Sequence, residues 1–509
     1  MLHGAPDGHP DARNECPRRV EVIKERLEEL EEDLMAYVTG DDDNATDGEP
    51  RGGGQRFLPI LSRHATRSEV ELVHTPEHYD YLQSISGLSR EELKKKSAAE
   101  ENSKDLVWNE HTFDAALFAA GCAIGCVDKV TTKHDGGCTR AISVTRPPGH
   151  HASAGSASGF CYLNNIALAA RWALANGRAK RVVIIDPDIH HGNGTQDITY
   201  DNENIFFISL HRYEVDREND FSFYPGTGQP NECGSTKAKG MNLNVAWSEP
   251  DMGDPEFAAA LSELILPVIS AFHPDLVLIS AGFDAAEGDT IGDCSLSCRG
   301  YYAMTRSLLK TIGHDVPVVA ILEGGYNLSV IPGCMEAVAL AFLDEPFEPA
   351  LRDLVKADSL PRELLEELFG PIDDDGNGES PHTDEQVERR QTMVRRGTTF
   401  GRQELLRFWR HPHREGELDV GIEPRSSIAG TNDKPLRGVK LSAIQDINLS
   451  MQYLRKCPFW KDMWSMNIVD LHDIPESAGV GDVDEVVNSS NALSTGVSAL
   501  ENMLGGLKI

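Results

Sequence analysis

The chain has 509 residues, of which 40% are hydrophobic and 25% charged, so it is long enough for a large core and for more than one domain. Asp and Glu (81) outnumber Lys and Arg (48), and the formal charge of -33 disfavours binding to DNA or anionic membranes while suiting cationic partners such as Lys-rich peptides. The ten cysteines form no CxxC pair, which argues against disulfide frameworks and thiolate zinc sites and favours a reducing compartment, the nucleus or the cytoplasm.

The first third of the chain contains several predicted helices. The segment RRVEVIKERLEELEEDL (18–34) spaces its apolar residues as an amphipathic helix does. The segment EVELVHTPEHYDYLQSI (69–85) predicts a strand, a turn and the start of a helix, and the Ala- and Gly-rich HTFDAALFAAGCAIGCVDKV (111–130) predicts a buried helix. No apolar run reaches the roughly 18 residues of a membrane span, and the N-terminus lacks the apolar core of a signal peptide, so we expect no membrane association.

Between residues 140 and 343, short β-branched runs alternate with helical stretches. The five clearest strands open the segments AISVTRPPGHH, RVVIIDPDIHH, IFFISLH, PDLVLISAGFD and VPVVAILEGGY. Continuous apolar runs of this kind predict an α/β fold with a mostly parallel sheet covered by helices on both faces. Ligands of such folds bind beyond the carboxyl ends of the strands, where all five segments carry their unusual polar residues.

The region after residue 346 has a different character. We expect residues 1–346 to form one catalytic domain and 347–509 a helical, partly flexible extension, in which LSAIQDINLSMQYLRKCPFWKDMWSMNIVDL alone has core-like density. Asp373, Asp375, Asn377, Gly378 and Asp384 fit an EF-hand loop loosely. Position 12 is Asp rather than Glu and no second loop is present, so a solvated acidic linker is favoured over a calcium site.

The segment DPDIHH carries the strongest chemical signal. In an extended strand Asp186, Asp188 and His190 point the same way, as metal ligands would. A catalytic zinc typically takes three protein ligands and leaves a position open for water, and Asp284 is the best candidate for the third ligand. Taken singly, each Asp could instead cap a helix or turn. The combination with RPPGHH and EGGYN favours a site.

The tandem histidines His150 and His151 follow a rigid Pro147–Pro148–Gly149 turn. Adjacent imidazoles can serve as base and acid if carboxylate or carboxamide partners fix their tautomers. A lone histidine is more often structural, but a pair on a Pro-Gly turn is much less so.

At these residues the sequence resembles the zinc-dependent histone deacetylase family, and more closely its class II branch. The resemblance extends from HPDARNECPRRV to AVALAFL. It implies the arginase-deacetylase α/β fold and hydrolysis of N6-acetyl-lysine on histones or other acetylated proteins, with corepressor complex proteins as candidate partners, a role in transcription, and no direct contact with nucleic acid.

The resemblance also implies roles for individual residues. Asp188, His190 and Asp284 correspond to the zinc ligands. His150 and His151 correspond to the pair that moves protons between water and the leaving amine, with Asp186 oriented toward His150 and Asn193 toward His151. Tyr326 corresponds to the donor that binds the acetyl carbonyl. The substrate channel would be lined by Gly159, Phe160, Tyr224, Ile291 and Gly325, and a structural potassium ion would be held by Asp186, Asp188, His190, Ser209 and Leu210.

Two positions bear on activity and substrate. Tyrosine at 326 favours a working enzyme, because class IIa relatives with histidine there resemble weak or inactive enzymes. Ile291 stands where polyamine deacetylases carry a glutamate, which makes a small acetylpolyamine a poorer substrate than a peptide. The two alternatives to a protein deacetylase are a small-amide hydrolase on the same fold and an inactive acetyl-lysine-binding corepressor scaffold.

The sequence also departs from the family pattern. Pro187 replaces the bulky apolar residue usual between the two aspartates, and the N-terminal HPE-x-P motif is opened out as HPDARNECP. His111 in WNEHTF is the nearest match to a serine that contacts substrate backbone in a relative.

Overall fold

The computed structural model of the protein describes residues 14–38, 57–132, 138–216, 221–345, 347 and 439–460. Its central sheet has six strands: Arg140–Ser143 (β1), Val182–Asp186 (β2), Ile205–Arg212 (β3), Asn242–Trp247 (β6), Leu276–Ala281 (β7) and Val318–Leu322 (β8). A separate hairpin pairs Val215–Asp216 (β4) with Phe221–Ser222 (β5). The order in the sheet is β1-β8-β7-β2-β3-β6, and every neighbouring pair is parallel.

The helices precede, connect and follow these strands. In chain order they are Arg18–Val38 (α1), Arg67–Val70 (α2), Pro76–Ile85 (α3), Arg90–Lys104 (α4), Thr112–Thr131 (α5), Asn165–Ala175 (α6), Asn193–Thr199 (α7), Asp254–Ala260 (α8), Leu266–Phe272 (α9), Cys298–Ile312 (α10), Ile331–Leu343 (α11) and Leu441–Arg455 (α12), with a π-helical turn, Leu261–Ile265, between α8 and α9.

Both faces of the sheet are buried, as the continuous apolar strands predict. Val183 and Ile185 of β2 belong to one hydrophobic cluster, together with residues of α9, α10 and α11. Val182 and Ile184 belong to a second cluster on the opposite face, together with residues of α5 and α6. The predicted α/β fold with a mostly parallel sheet is confirmed. Because β2 lies between β7 and β3, the residues that follow β2 and β7 emerge side by side.

The structure corrects two details of the predicted elements. The segment EVELVH, predicted as a strand, forms the end of α2 and a turn, because Thr66 and Glu69 form a capping box that starts a helix there. The strand β6 was missed, since Asn242 and Asn244 interrupt its apolar run; both side chains donate to Gln196 Oε1, at 2.9 Å, so the amides are buried with a partner.

One stretch of the described residues, Asp254–Phe272, is long and apolar enough to cross a membrane by length and composition, which differs from the expectation that no segment would be. It comprises α8, the π-helical turn and α9, and 61% of it is buried inside the fold, as in the core helix of a globular domain.

The helix α12 falls in the predicted C-terminal extension, yet it packs against β6 of the central sheet. Ala443, Ile447 and Leu454 join the same hydrophobic cluster as α9 and α11. Ser248 donates to Asp446 Oδ2 from its backbone nitrogen at 2.9 Å, and Ser450 Oγ donates to the carbonyl of Asn244 at 2.7 Å. The segment 373–384, weighed above as a calcium loop, lies outside the described residues.

Candidate active site at the carboxyl ends of the strands

Asp188, His190 and Asp284 lie together at the adjoining ends of β2 and β7. One ligand atom from each lies within 4.8 Å of the others, and all three residues are buried. His190 Nδ1 is 2.8 Å from Asp284 Oδ2, while the backbone nitrogens of Ile189 and Gly324 donate to Asp284 Oδ1 at 2.8 Å and to Asp188 Oδ2 at 2.9 Å. The carboxylates are thus oriented by main-chain donors before any ligand is considered.

Burial works against the charges of this cluster. It raises the pKa of Asp284 to about 7, with the charge of Asp188 adding to the effect. Burial would also lower the pKa of His190, but Asp284 and Asp188 raise it to about 9. Two buried carboxylates this close repel each other, and a bound cation would relieve that repulsion.

The residues around the cluster fit a metal ion. A Cβ atom at position 324 would lie 2.4 Å from Asp284 Oδ2 and 2.6 Å from Asp188 Oδ2, so only glycine leaves both carboxylates their positions. Two carboxylates and one imidazole form a donor set that zinc accepts, and three protein ligands leave a fourth position open. The arrangement can therefore hold a metal ion and present it to a ligand.

The tandem histidines lie beside this cluster, with partners on their Nδ1 atoms. His150 Nδ1 is 3.1 Å from Asp186 Oδ2, and His151 Nδ1 is 2.7 Å from Asn193 Oδ1. His150 Nε2 is 3.8 Å from Asp188 Oδ2. The structure thus brings together the two histidines and the two partners named from the resemblance.

The environments of the two histidines differ. Burial alone would lower the pKa of His150, but the carboxylates of Asp188 and Asp186 raise it well above the usual value. The pKa of His151 falls well below the usual value because of burial and the neighbouring His150 and His190. The pair thus combines an imidazole that favours the charged form with one that favours the neutral form.

Tyr326 lies in the loop after β8, two residues beyond Gly324, which borders the carboxylates of Asp188 and Asp284. It is 9% exposed, its backbone nitrogen donates to Asp289 Oδ2 at 2.7 Å, and its ring lies 5.8 Å from that of Phe160. Burial raises the pKa of its phenol well above the usual value, so the hydroxyl keeps its proton and can donate a hydrogen bond. Gly325, just before it, has φ of 105°, a conformation that favours glycine.

Two of the predicted channel residues, Gly159 and Tyr224, lie beside His151. A Cβ atom at Gly159 (φ 54°) would lie 2.4 Å from the His151 ring and 2.9 Å from the Tyr224 hydroxyl. A side chain at this position would therefore collide with both residues. The Tyr224 ring lies 5.1 Å from that of His151. Ile291 is partly exposed, and its backbone nitrogen donates to Asp289 Oδ1 at 2.9 Å.

The residues considered for potassium lie on neighbouring strands. Asp186 pairs in register with Ser209, directly before Leu210. Asp186 Oδ1 accepts from the backbone nitrogen of Asp188 at 3.2 Å, and Ser209 Oγ is 2.8 Å from His211 Nδ1.

Sequence reasoning missed a group of residues that hold the site loops in place. Glu323 Oε2 accepts from the backbone nitrogens of Gly149 at 2.6 Å and His150 at 3.0 Å, which anchors the tandem-histidine turn. Arg19, fully buried in α1, donates to the carbonyls of Glu323 at 2.5 Å and Gly325 at 2.7 Å. A glutamate directly after the apolar run VVAIL was the available signal for Glu323. No local pattern marked Arg19.

Two weaker assignments have different outcomes. Glu15 is buried and pairs with both Arg19 and Arg146, so the end of the N-terminal motif, residues 14–17, is structured, whereas residues 9–13 of the motif lie outside the described residues. The His111 side chain is 41% exposed, and its Nε2 lies 3.9 Å from Glu110 Oε1.

Comparison with known proteins gives consistent matches. The family model described as the histone deacetylase domain matches residues 13–342. Histone deacetylase 15 of Arabidopsis thaliana is 43% identical over 290 residues, which are 57% of this chain and 49% of that protein. Histone deacetylase HDA1 of Saccharomyces cerevisiae is 37% identical over 344 residues, 67% of this chain and 45% of that protein. The chain thus spans about half the length of these curated relatives.

A solved structure matches the fold as well. The crystal structure of the HDA15 HD domain superposes with a TM-score of 0.57 at 37% sequence identity, and the match covers 68% of this chain and 87% of that one.

Proposed function

The chain belongs to the histone deacetylase family, and from that premise we propose that it is a zinc-dependent lysine deacetylase that releases acetate from N6-acetyl-lysine in histones or other acetylated proteins. The observation that carries the proposal is the buried group of Asp188, His190 and Asp284, with ligand atoms within 4.8 Å of one another beside two partnered histidines.

The proposed zinc ligands are Asp188, His190 and Asp284. Zinc bound there would supply a Lewis acid for the acetyl carbonyl and would bring the pKa of water to about 7. We further propose Asp186, Asp188 and His190 with Ser209 and Leu210 as a structural potassium site. Its support is limited to the placement of Asp186 and Ser209 on adjacent strands.

His151 is the proposed proton carrier. An amide oxygen only accepts hydrogen bonds, so Asn193 Oδ1 at 2.7 Å requires the proton of His151 on Nδ1 and leaves Nε2 free to accept one from water. The same Nε2 can then donate that proton to the departing amine, which is a poor leaving group unless protonated. His150, paired with the Asp186 carboxylate, is suited to remain charged and to stabilise negative charge nearby.

Tyr326 and the channel residues would act on the substrate itself. The Tyr326 hydroxyl would donate to the acetyl oxygen as negative charge develops on it. Phe160 and Tyr224 would line the path of the lysine stem, with Gly159 allowing its close approach to His151. Four methylenes with an uncharged amide suit an aromatic channel.

The proposed substrate is a protein rather than a polyamine. A charge of -33 favours basic histone tails and other Lys-rich segments, and Ile291 offers no carboxylate for a free amine. We propose the nucleus, the cytoplasm or both as its location, a role in chromatin and transcription, corepressor complex proteins as partners, and no direct contact with nucleic acid or membrane.

Acetate release from an acetyl-lysine histone peptide by the purified protein tests the proposal. We expect release that stops on zinc chelation and returns when zinc is added back. Acetylspermidine assayed in parallel separates a small-amide hydrolase, which would prefer it, from a protein deacetylase.

Tyr326→Phe separates an enzyme from an inactive acetyl-lysine-binding scaffold. Loss of one such donor to a developing oxyanion typically lowers kcat by about 100- to 1,000-fold. Peptide affinity measured by fluorescence anisotropy should stay near that of the wild type, since the aromatic ring is kept. Equal, slow acetate release by both proteins would leave the scaffold as the better account.

A further inference from the structure

An arginine, an aromatic ring and a proposed metal ligand form a three-layer stack at the edge of the site. The Phe223 ring lies parallel to the His190 ring, with centroids 4.9 Å apart and an angle of 12° between the planes. The guanidinium carbon of Arg212 lies 4.3 Å from the centroid of the Phe223 ring. All three residues are less than 9% exposed, so solvent screens these contacts little.

The guanidinium of Arg212 is held in its place over Phe223 by hydrogen bonds. Its Nε and Nη2 atoms donate to Glu214 Oε2 at 3.1 and 2.7 Å, and Nη1 donates to Asp293 Oδ2 at 3.3 Å. Asp293 follows Ile291 by two residues, in the loop between β7 and α10. The Arg212 side chain therefore links the end of β3 to Glu214, directly before β4, and to the loop that carries the predicted channel residue Ile291.

The backbone of Arg212 is tied to the metal loop as well. Its nitrogen donates to the carbonyl of Ile189 at 2.9 Å, and Ile189 directly precedes His190. Phe223, in turn, directly precedes Tyr224 of the channel. Residues adjacent in sequence to both the proposed metal site and the channel wall thus meet at Arg212.

We propose that Arg212 is a positioning residue that, through the face of Phe223, fixes the ring of His190 and the placement of Tyr224. The inference rests on the proposed function and adds to it a residue that touches neither metal nor substrate. A planar guanidinium can stack on a ring while its edge nitrogens bind carboxylates, and a lysine ammonium cannot do both.

Loss of the stack frees the His190 ring and the Phe223–Tyr224 segment to reorient. Partners that orient a metal ligand typically contribute about 10- to 100-fold in metal affinity or activity. We expect Arg212→Met, which keeps the aliphatic stem, to release zinc to a chelator on the order of 10-fold faster than the wild type. We also expect a KM for the acetyl-lysine peptide several-fold higher, because Tyr224 is displaced. The zinc-release rate and the KM of Arg212→Lys should lie between those of the wild type and of Arg212→Met.

The matched control is Arg178→Met. Arg178 also lies over an aromatic ring, with its guanidinium carbon 6.0 Å from the centroid of Trp172, and pairs with a carboxylate, Asp128, at 2.7 Å, but it is remote from the site. Its zinc release and KM should match those of the wild type. Phe223→Leu and the double variant complete a cycle in which the combined effect should be smaller than the product of the two single effects.

Zinc release is followed with a chromogenic chelator, independently of acetate, and thermal unfolding confirms that each variant is folded. A wild-type protein that holds no zinc, or releases no acetate, is a failure of the proposed function. A zinc-loaded, active wild type with an Arg212→Met variant that loses zinc at the same rate overturns the inference about Arg212. If that variant does not fold, the same comparison is made with Arg212→Lys.

Discussion

Two regions of the sheet are buried by different kinds of contact. One is the carboxyl ends of β2 and β7, and the other is the edge strand β6. Around Asp188 and Asp284, buried charged groups contact each other and main-chain donors, and glycine is required at position 324 to make room for them. Against β6, α12 contributes mainly apolar contacts, with a few hydrogen bonds in which Asp446 accepts from Ser248 and Ser450 donates to Asn244.

This difference separates function from stability. Burial of like charges costs free energy, so the carboxylates at the site lower the stability of the metal-free fold, and a bound cation would offset that cost. The α12 contact buries apolar surface and stabilises the fold without touching the site. Changes in the first region should affect metal and catalysis, and changes in the second should affect the free energy of unfolding.

The largest effect is expected for Asp284→Ala. We expect zinc affinity to fall by at least about 100-fold, because the variant removes a proposed ligand itself and not merely a partner that orients one. The matched control is Asp275→Asn at the opposite end of β7, where the carboxylate accepts from the backbone nitrogens of Lys180 and Arg181. Metal analysis after dialysis measures both. A full complement of zinc in Asp284→Ala would refute the ligand assignment.

Trp460→Ala should lower the stability of the fold and leave catalysis unchanged. The Trp460 side chain is 1% exposed, its Nε1 donates to the carbonyl of Gly240 at 2.7 Å, and its ring lies 5.2 Å from that of Phe206. Its truncation should lower the free energy of unfolding by about 3–5 kcal/mol, with kcat of the folded protein unchanged. The neighbouring Phe459 is 52% exposed, so Phe459→Ala should cost less than about 1 kcal/mol. Equal losses in urea unfolding would contradict the docking of the segment that follows α12.

Acid pH should destabilise the protein through a buried histidine outside the metal cluster. His74 Nε2 accepts from the backbone nitrogen of Asn164 at 2.9 Å, and Nδ1 lies 3.3 Å from the carbonyl of Ala154. Burial, aided by the charge of His78, lowers the pKa of His74 to about 3. The unfolded chain therefore binds this proton first, and stability is lost as pH falls below about 6.5, by about 1.4 kcal/mol per pH unit.

The change to test is His74→Gln. Urea unfolding at pH 7 and pH 5 should show that wild type loses about 2 kcal/mol more than the variant over this interval, because glutamine does not titrate. An identical pH dependence in both proteins would mean that His74 is not kept neutral by the fold.

The smallest effect is expected beside Pro187. Its ring lines an apolar cavity of about 30 Å³, together with Phe283 and Tyr301. The Tyr301 hydroxyl is buried there and has no hydrogen-bond partner among the described residues. Tyr301→Phe should leave stability unchanged or raise it by about 1 kcal/mol, since an unsatisfied polar group is removed. The control Tyr162→Phe should cost about 1–2 kcal/mol, because that hydroxyl donates to the carbonyl of Val107. Comparable losses in both would indicate a hidden partner for Tyr301.

Patterns within a short stretch of sequence predicted much of the molecule. The five apolar runs are strands β1, β2, β3, β7 and β8, and the parallel order follows from their alternation with helices. The placement of Asp188 beside Asp284 follows from the same rule, because neighbouring parallel strands end at one edge. The catalytic and metal-binding roles of these residues stay predictions.

What was missed depends on contacts between distant parts of the chain. Arg19 binds the carbonyl of Gly325, 306 residues away, and no local pattern records that contact. The strand β6 was overlooked because its asparagines look like turn residues until Gln196 is seen to accept from them. Pro187 was an unexplained departure in the sequence, and only the packing shows that its small ring borders a cavity.

One titration tests the central claim most directly. Metal-free protein is titrated with zinc while acetate release from an acetyl-lysine peptide is followed. We predict no release without metal and a linear rise that ends at one zinc ion per chain, since the described residues bring one Asp-His-Asp group together. Release by the metal-free protein, or a rise that continues to two ions per chain, would contradict a single-zinc deacetylase.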